Sequence, residues 1–129
     1  ALNNIQFLGY VSDEVRADLM SRARAVIVTA LEDYGLVPVE ANASGTPVIG
    51  YGAGGILDTQ ISGKTGILFG SQTPDALQAA LLQARDWQWA YGNIRDRAIS
   101  NFSESAFFRR VKQVIEQEFG CKEILLEEN

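Results

Sequence analysis

Apolar residues in the first 70 positions of this chain form short runs that are separated by segments with helical spacing. The runs predict four strands, at 5–8, 25–28, 47–49 and 67–69. Strands that alternate with helices are typical of an α/β fold with a parallel sheet. We therefore predict an α/β fold, with a Rossmann-like parallel sheet flanked by helices. In such sheets, ligands bind beyond the carboxyl ends of the strands.

Capping residues and glycines indicate where the helices begin and end. Ser12 is a suitable N-cap for the first helix. A second helix is predicted from near Gly35 to a glycine cap at Gly45, with Pro38 in its first turn. The other predicted helices lie near 55–61, from Thr73 to about 87, near 93–100, and from Ser103 onward.

The segment 32–40, EDYGLVPVE, combines charge, backbone freedom and the start of an apolar helix. A helix start directs free N–H groups at an anion, and Gly35 lets a phosphate approach the backbone closely. Glu32 and Glu40 carry carboxylates, which are acceptors suited to the vicinal hydroxyls of a ribose or a pyranose. On spacing alone, it is equally plausible that Glu40 is a solvated helix charge and that Glu32 with Asp33 is an acidic helix start.

Length and composition are those of one soluble globular domain. The chain has 129 residues, enough for a substantial core, and no apolar run approaches the roughly 18 residues of a membrane helix. It begins at Ala1 and leads almost at once into an apolar run, which suggests a piece of a longer protein. The absence of an export signal leads us to expect a cytoplasmic location.

The charge of the chain is acidic and unevenly distributed. A net charge of −5 argues against a nucleic-acid surface, which requires a basic patch. Residues 116–129 contain five glutamates and one lysine, and so carry −4 of that charge. We predict a domain at 1–119 followed by a solvated acidic tail at 120–129.

The chain contains no histidine and one cysteine, Cys121. The lack of histidine excludes Ser–His and Cys–His catalytic pairs and nearly every zinc site. No two aspartates have the Asp-x-Asp spacing that clamps a metal and a diphosphate in one class of sugar transferases. We therefore expect chemistry without a metal and without a bound cofactor.

Two glycine-rich stretches match parts of known phosphate-binding motifs. The stretch 50–55, GYGAGG, matches G-x-G-x-x-G, but a dinucleotide site also needs a long helix and an acidic residue near position 70, where Gly70 stands. Gly63 begins a GKT sequence, but the first glycine of a P-loop would fall at Asp58. We interpret Gly63 and Gly66 as turn glycines.

Trp87, Trp89 and Tyr91 form an aromatic cluster near the end of the long predicted helix. Aromatic residues in such a place more often pack, or lie under a partner domain, than stack on a base. We predict a packing role for this cluster.

Three motifs occur in a specific order: EDYGLVPVE, then EANASGTPVIGYGAGG, then GKTGILF. Together they resemble the C-terminal, nucleotide-sugar-binding domain of the retaining glycosyltransferases that have the two-Rossmann GT-B architecture. The resemblance is to glycosyltransferase family 4, group 1, which includes bacterial mannosyl- and glucosyltransferases of cell-surface polysaccharides. It extends from about Asn4 to Phe119 and implies the C-terminal half-domain of the GT-B fold.

The resemblance implies a role for each residue of the site. Glu32, the catalytic-site carboxylate, would contact the donor sugar hydroxyls near the reacting carbon, and Glu40 would hold the ribose hydroxyls. The diphosphate and the sugar would face the backbone and first helical turn of four residues, Tyr34, Gly35, Leu36 and Val37. The nucleotide base would lie along the segment Gly9, Tyr10, Val11 and Ser12. This segment would contact the base mainly through backbone groups.

Two departures from the family pattern stand out. Thr29 and Ala30 occupy positions where family members often have Pro-Ser, so a hydroxyl contact there is absent or displaced. The Arg and Lys that neutralise the diphosphate lie upstream in the family, and neither Arg22 nor Arg24 occupies that position. The acceptor-binding N-terminal domain is absent as well. The resemblance therefore implies a fragment that is catalytically inactive alone.

The function implied is donor binding in a retaining, metal-independent glycosyltransferase, which moves a sugar from a nucleoside diphosphate sugar to an acceptor hydroxyl. The implied partners are the nucleotide-sugar donor and the N-terminal acceptor domain, with peripheral membrane association possible for the full-length enzyme. Two alternatives remain. The chain could be a truncated, non-enzymatic interaction module, or a nicotinamide-dinucleotide-binding domain.

Overall fold

The computed structural model describes residues 3–31, 36–103, 109, 111–114 and 116–117. Residues 111–114 are helical, within the range of the last predicted helix, and the acidic tail at 120–129 lies outside the described residues. In order, the elements of residues 3–103 are α1 (Asp13–Arg22), β1 (Val26–Val28), α2 (Leu36–Ala43), β2 (Val48–Tyr51), α3 (Ile56–Thr59), β3 (Gly66–Phe69), α4 (Pro74–Arg85) and α5 (Tyr91–Phe102).

The three strands form one parallel sheet in the order β1-β2-β3. Val28 of β1 lies opposite Gly50 of β2, which in turn lies opposite Leu68 of β3. Parallel neighbours require crossover connections, and α2 and α3 provide them. The predicted α/β fold with a parallel sheet is confirmed.

Alternate residues of the central strand pack on opposite faces of the sheet, as the period of two in a β-strand requires. Val48 joins Val28, Ala41 of α2 and Ile56 of α3 in one buried cluster. The next residue, Ile49, joins a cluster on the other face, which α4 covers; its buried members are Ile49, Ile67, Phe69 and Ala80. Helices therefore cover both faces of the sheet.

The prediction of a strand at 5–8 is wrong. These residues are exposed, with Phe7 at 89% of its maximal accessibility, and they form no strand. A β-strand is stabilised by hydrogen bonds and side-chain contacts to a neighbouring strand. No strand among the described residues pairs with this segment. Its apolar composition indicated burial, but the described chain supplies no partner to bury it.

The predicted helix caps are confirmed. Ser12 Oγ accepts a hydrogen bond from the N–H of Val15, and Thr73 Oγ1 accepts one from the N–H of Ala76. The donor–acceptor distance is 3.2 Å in each. Gly45 follows α2 with φ at +82°, a left-handed conformation that glycine adopts without strain. In the part of the chain that the structure describes, none of the helices is long and apolar enough to cross a membrane.

Candidate functional site

The loops that follow the three parallel strands lie at one edge of the sheet. Gln72, after β3, donates a hydrogen bond from Nε2 to the carbonyl oxygen of Thr29, after β1, over 3.0 Å. The glycine loop at 52–55 follows the central strand. Since ligands of parallel α/β sheets bind at the carboxyl edge, this is the expected place for a site, and α2 begins there.

The first turn of α2 has an apolar inner side and an exposed outer side. Val37 packs on the buried cluster beneath the helix, and Pro38 is fully buried. Pro38 is the third residue of α2, where its missing N–H removes no hydrogen bond from the helix. Leu36 is 68% exposed. The apolar residues thus anchor the turn. The first N–H groups of a helix generally have no partner within the helix.

Glu40 lies one turn into α2 and forms an ion pair with a residue of α1. Its Oε2 atom is 3.3 Å from Nη2 of Arg16, and its side chain is 41% exposed. Arg16 Nη2 is also 3.4 Å from Oδ1 of Asp13, in the first turn of its own helix. Glu40 is therefore half-buried and linked to a second element.

The segment Gly9, Tyr10, Val11 leads directly into α1. Gly9 has φ at +64°, and Tyr10 is 97% exposed. Arg16 lies three residues after the first residue of α1, a rise of about 4.5 Å along the helix. The contact between Arg16 and Glu40 therefore shows that the start of α1 lies beside α2.

The predicted site residues fall into three groups. Leu36, Val37 and Glu40 lie together on α2, and the segment Gly9 to Val11 precedes the helix that contacts it. Glu32, Tyr34 and Gly35, to which the catalytic role and donor contacts are assigned, lie outside the described residues. Asp33 does as well. These assignments stay predictions.

Arg16 is the site residue that the sequence did not reveal. The resemblance to the family concerns Arg22 and Arg24, neither of which occupies the position of the diphosphate-neutralising cations. The spacing of Asp13 and Arg16 indicates an (i, i+3) pair on one helix. Contact with Glu40, by contrast, depends on how α1 packs against α2, which no local pattern encodes.

The glycine stretch at 50–55 lacks the elements of a dinucleotide site. Gly50 is inside β2, where an added Cβ would meet the side chain of Ile56. The helix that follows, α3, has four residues, too short for the long helix of the fingerprint.

Only one of the two predicted turn glycines is a turn residue. Gly63 has φ at +86° and donates its N–H to the carbonyl of Gly66 over 2.8 Å, which confirms the prediction for Gly63. Gly66 instead opens β3, with the backbone of Val48 where its Cβ would be. The turn assignment of Gly66 is wrong because close approach between strands, and not a turn, requires glycine there.

The predicted packing role is confirmed for Trp87 and Trp89, whereas Tyr91 is 56% exposed. Trp87 donates its indole N–H to the carbonyl of Gly63 over 3.0 Å, and Trp89 donates to the carbonyl of Ala84 over 3.2 Å. Their rings are tilted, with centroids 6.0 Å apart, and Trp89 packs against the cluster under α4. Both polar indole groups are used within the fold.

Potential metal ligands are dispersed in the described residues. Within that part of the chain, no three His, Cys, Asp or Glu side chains are grouped so that they could hold a metal ion. Glu40, the carboxylate at the candidate site, is paired with the guanidinium of Arg16.

Residues 1–103 match the family described as Glycosyl transferases group 1. The chain belongs to this family. Among curated relatives of this glycosyltransferase domain, D-inositol 3-phosphate glycosyltransferase of Corynebacterium kroppenstedtii is 40% identical over 108 residues, 77% of this chain and 24% of that protein. Glycogen synthase of Mycobacterium tuberculosis is 31% identical over 86 residues, 66% of this chain and 21% of that protein. The chain thus spans less than a quarter of these relatives.

Solved structures show the same fold. Sucrose-phosphate synthase from Thermosynechococcus elongatus superposes with a TM-score of 0.76 and 34% identity, covering 89% of this chain and 30% of that one. Anabaena HepE, in complex with UDP-glucose, superposes with a TM-score of 0.67 and 25% identity, covering 89% of this chain and 33% of that one. The glycosyltransferase domain described here is a C-terminal GT-B domain, as the sequence resemblance implied.

Proposed function

We propose that this chain is the donor-binding portion of a retaining, metal-independent glycosyltransferase. The complete enzyme would transfer a sugar from a nucleoside diphosphate sugar to an acceptor hydroxyl and keep the anomeric configuration. Family membership supports a transferase, and the UDP-glucose in the HepE structure supports a nucleotide-sugar donor. The retaining outcome and the independence of metal come from the family resemblance.

The observation that carries the proposal is the position of Glu40. It stands one turn from the start of α2, at the carboxyl edge of the sheet, and contacts α1 just after the segment Gly9 to Val11. A diphosphate at the helix start would place its ribose about one turn along α2, near this carboxylate. The base would then extend toward the segment that precedes α1. Three parts of a nucleoside diphosphate thus have three adjacent counterparts.

In this arrangement the protein contributes mainly positioning and electrostatic stabilisation. The segment from Tyr34 to Val37, which includes the first residues of α2, would offset negative charge that develops on the leaving diphosphate. Glu32 orients the transferred pyranose, and Glu40 accepts hydrogen bonds from the ribose hydroxyls.

The remaining catalytic groups belong to parts of the enzyme beyond this chain. We place the basic residues that neutralise the diphosphate upstream in the same domain, and the acceptor site in an N-terminal domain. The isolated chain is then inactive in sugar transfer and binds nucleotides weakly.

We further propose that the complete enzyme is cytoplasmic and acts in polysaccharide biosynthesis, because nucleotide sugars are kept in the cytoplasm. It would associate peripherally with the membrane.

The Glu40→Ala variant is expected to bind its nucleoside diphosphate at least about tenfold more weakly than the wild-type chain. The loss of charge-assisted hydrogen bonds to the ribose would cost about 1.5–3 kcal/mol. Calorimetric titration of both proteins with UDP, GDP and ADP measures the effect and identifies the preferred base.

Asp96→Ala is a matched control, since Asp96 is an exposed carboxylate inside α5 and is not a residue of the proposed site. Its affinity should equal that of the wild-type chain. Equal affinities of Glu40→Ala and wild type, or no binding of any of the three nucleotides, would refute the ribose assignment.

The same titration separates the two alternative functions. A non-enzymatic interaction module would bind none of the nucleotides, although exposed apolar residues such as Phe7 and Leu36 suit either a docked domain or another partner. A nicotinamide-dependent protein would bind NAD in preference to nucleoside diphosphates. The short α3 after the glycine stretch does not favour that second alternative.

A further inference from the structure

Arg16 joins two helices at the proposed nucleotide site, and the roles assigned so far leave it without a function. Its Nη2 atom lies 3.3 Å from Oε2 of Glu40, on α2, and 3.4 Å from Oδ1 of Asp13, on α1. In contrast, Arg22 on the same helix pairs with Asp18 one turn away, at 2.7 Å, and reaches no other element among the described residues. Of these two arginines, Arg16 alone forms an ion pair with another helix of the described chain.

A role in fold stability does not account for this pair. The side chains of Arg16 and Glu40 are 45% and 41% exposed. Ion pairs between exposed side chains contribute little to stability, because water screens them and both long side chains lose freedom. The pair has a more specific effect on the carboxylate itself.

Arg16 contacts one oxygen of Glu40 and leaves the other available. The contact is an ion pair, and among the described residues neither side-chain oxygen of Glu40 accepts a hydrogen bond. A carboxylate that is drawn to a cation at one oxygen keeps the other oxygen open to a pair of hydroxyls. The guanidinium also offsets a negative charge that would otherwise repel a diphosphate bound one turn away.

We propose that Arg16 is a positioning residue that orients Glu40 and makes the site select ribonucleoside diphosphates over their dideoxy counterparts. This inference rests on the proposed function of Glu40. It adds a distinct element, since Arg16 acts on the ribose through Glu40 and need not touch the nucleotide.

The test compares the tightest-binding nucleotide among UDP, GDP and ADP with its 2′,3′-dideoxy analogue. The ratio of the two affinities reports the ribose contact alone. We expect a ratio of about ten for the wild-type chain and near one for Glu40→Ala, which removes every acceptor of this side chain. Arg16→Gln should lower the ratio by roughly threefold, with thermal stability unchanged, and Arg16→Lys should restore part of it. Arg22→Gln, the matched control on α1, should keep the wild-type ratio.

Two results would overturn the inference in distinguishable ways. A wild-type ratio in Arg16→Gln, together with a lost ratio in Glu40→Ala, would leave the proposed function intact and remove Arg16 from it. A ratio near one in the wild-type chain would remove the ribose contact, and with it both proposals. Equal losses in Arg16→Gln and Arg22→Gln would show a general effect of charge on α1, which also contradicts a positioning role.

Discussion

Replacing Gly66 by alanine is expected to destabilise the domain by about 3 kcal/mol, at the upper end of the range for overpacked sites. Gly66 opens β3 directly opposite Val48 of β2, and an added Cβ would fall on the backbone of Val48. That backbone cannot retreat freely, because the N–H of Val48 donates to the carbonyl of Thr65 over 3.1 Å. The methyl group would therefore force the two strands apart.

Thermal or urea unfolding followed by circular dichroism measures this effect, with a fall in Tm on the order of 10 °C. Gly70→Ala is the matched control, since Gly70 follows the same strand and an added Cβ there meets nothing within 4 Å. It should be neutral or slightly stabilising. Similar unfolding midpoints for the two variants would contradict the close approach of β2 and β3.

The Asn42→Leu variant is also expected to lose about 3 kcal/mol of stability, through unsatisfied polar groups. Asn42 is 2% exposed, and its Nδ2 donates to the carbonyls of Thr46 and Thr65, over 3.0 and 3.2 Å. Its Oδ1 accepts from Nε2 of buried Gln60 over 2.7 Å. A leucine would leave the carbonyl of Thr46 and the amide of Gln60 buried without good partners. Chemical denaturation measures the loss.

A double variant tests this explanation. Asn42→Leu/Gln60→Leu removes both amides, so the orphaned donor of Gln60 no longer exists, and the combined loss should be smaller than the sum of the single losses. Asn101→Leu is the control, because Asn101 is exposed and, within the described residues, its side chain makes one hydrogen bond, to the carbonyl of Arg97. Its stability should change by no more than about 0.5 kcal/mol. Additive losses in the double variant would contradict a shared network.

The sequence predicted the elements whose causes are local. Ser12 and Thr73 cap helices with their own side chains, and Gly45 ends α2 because it adopts positive φ. The strand at 5–8 was predicted wrongly because strand formation depends on a partner, which composition does not reveal. The same limit explains Gly66, since its requirement for glycine comes from Val48 on the neighbouring strand.

The candidate site shows a similar division. The position of Glu40 on a helix that starts at the carboxyl edge follows from the order of strand, loop and glycine cap. Its partner Arg16 does not, because 24 positions separate the two residues in sequence and only helix packing brings them to 3.3 Å. The buried contact of Asn42 with Gln60 was missed for the same reason, since amides separated by 18 positions carry no local signature.

The residue that anchors α2 in the fold and the residue proposed to face the ligand lie at opposite ends of the helix. The side-chain hydrogen bonds that tie the helix to the segments flanking β2 and β3 leave from Asn42, near its C-terminal end, whereas Leu36 in the first turn is largely exposed. Substitutions at Leu36 therefore leave the anchoring amide untouched. A library that varies this exposed position can search for altered ligand preference with stability changes of about 0.5 kcal/mol or less in most members, which makes the start of α2 a suitable place to begin directed evolution.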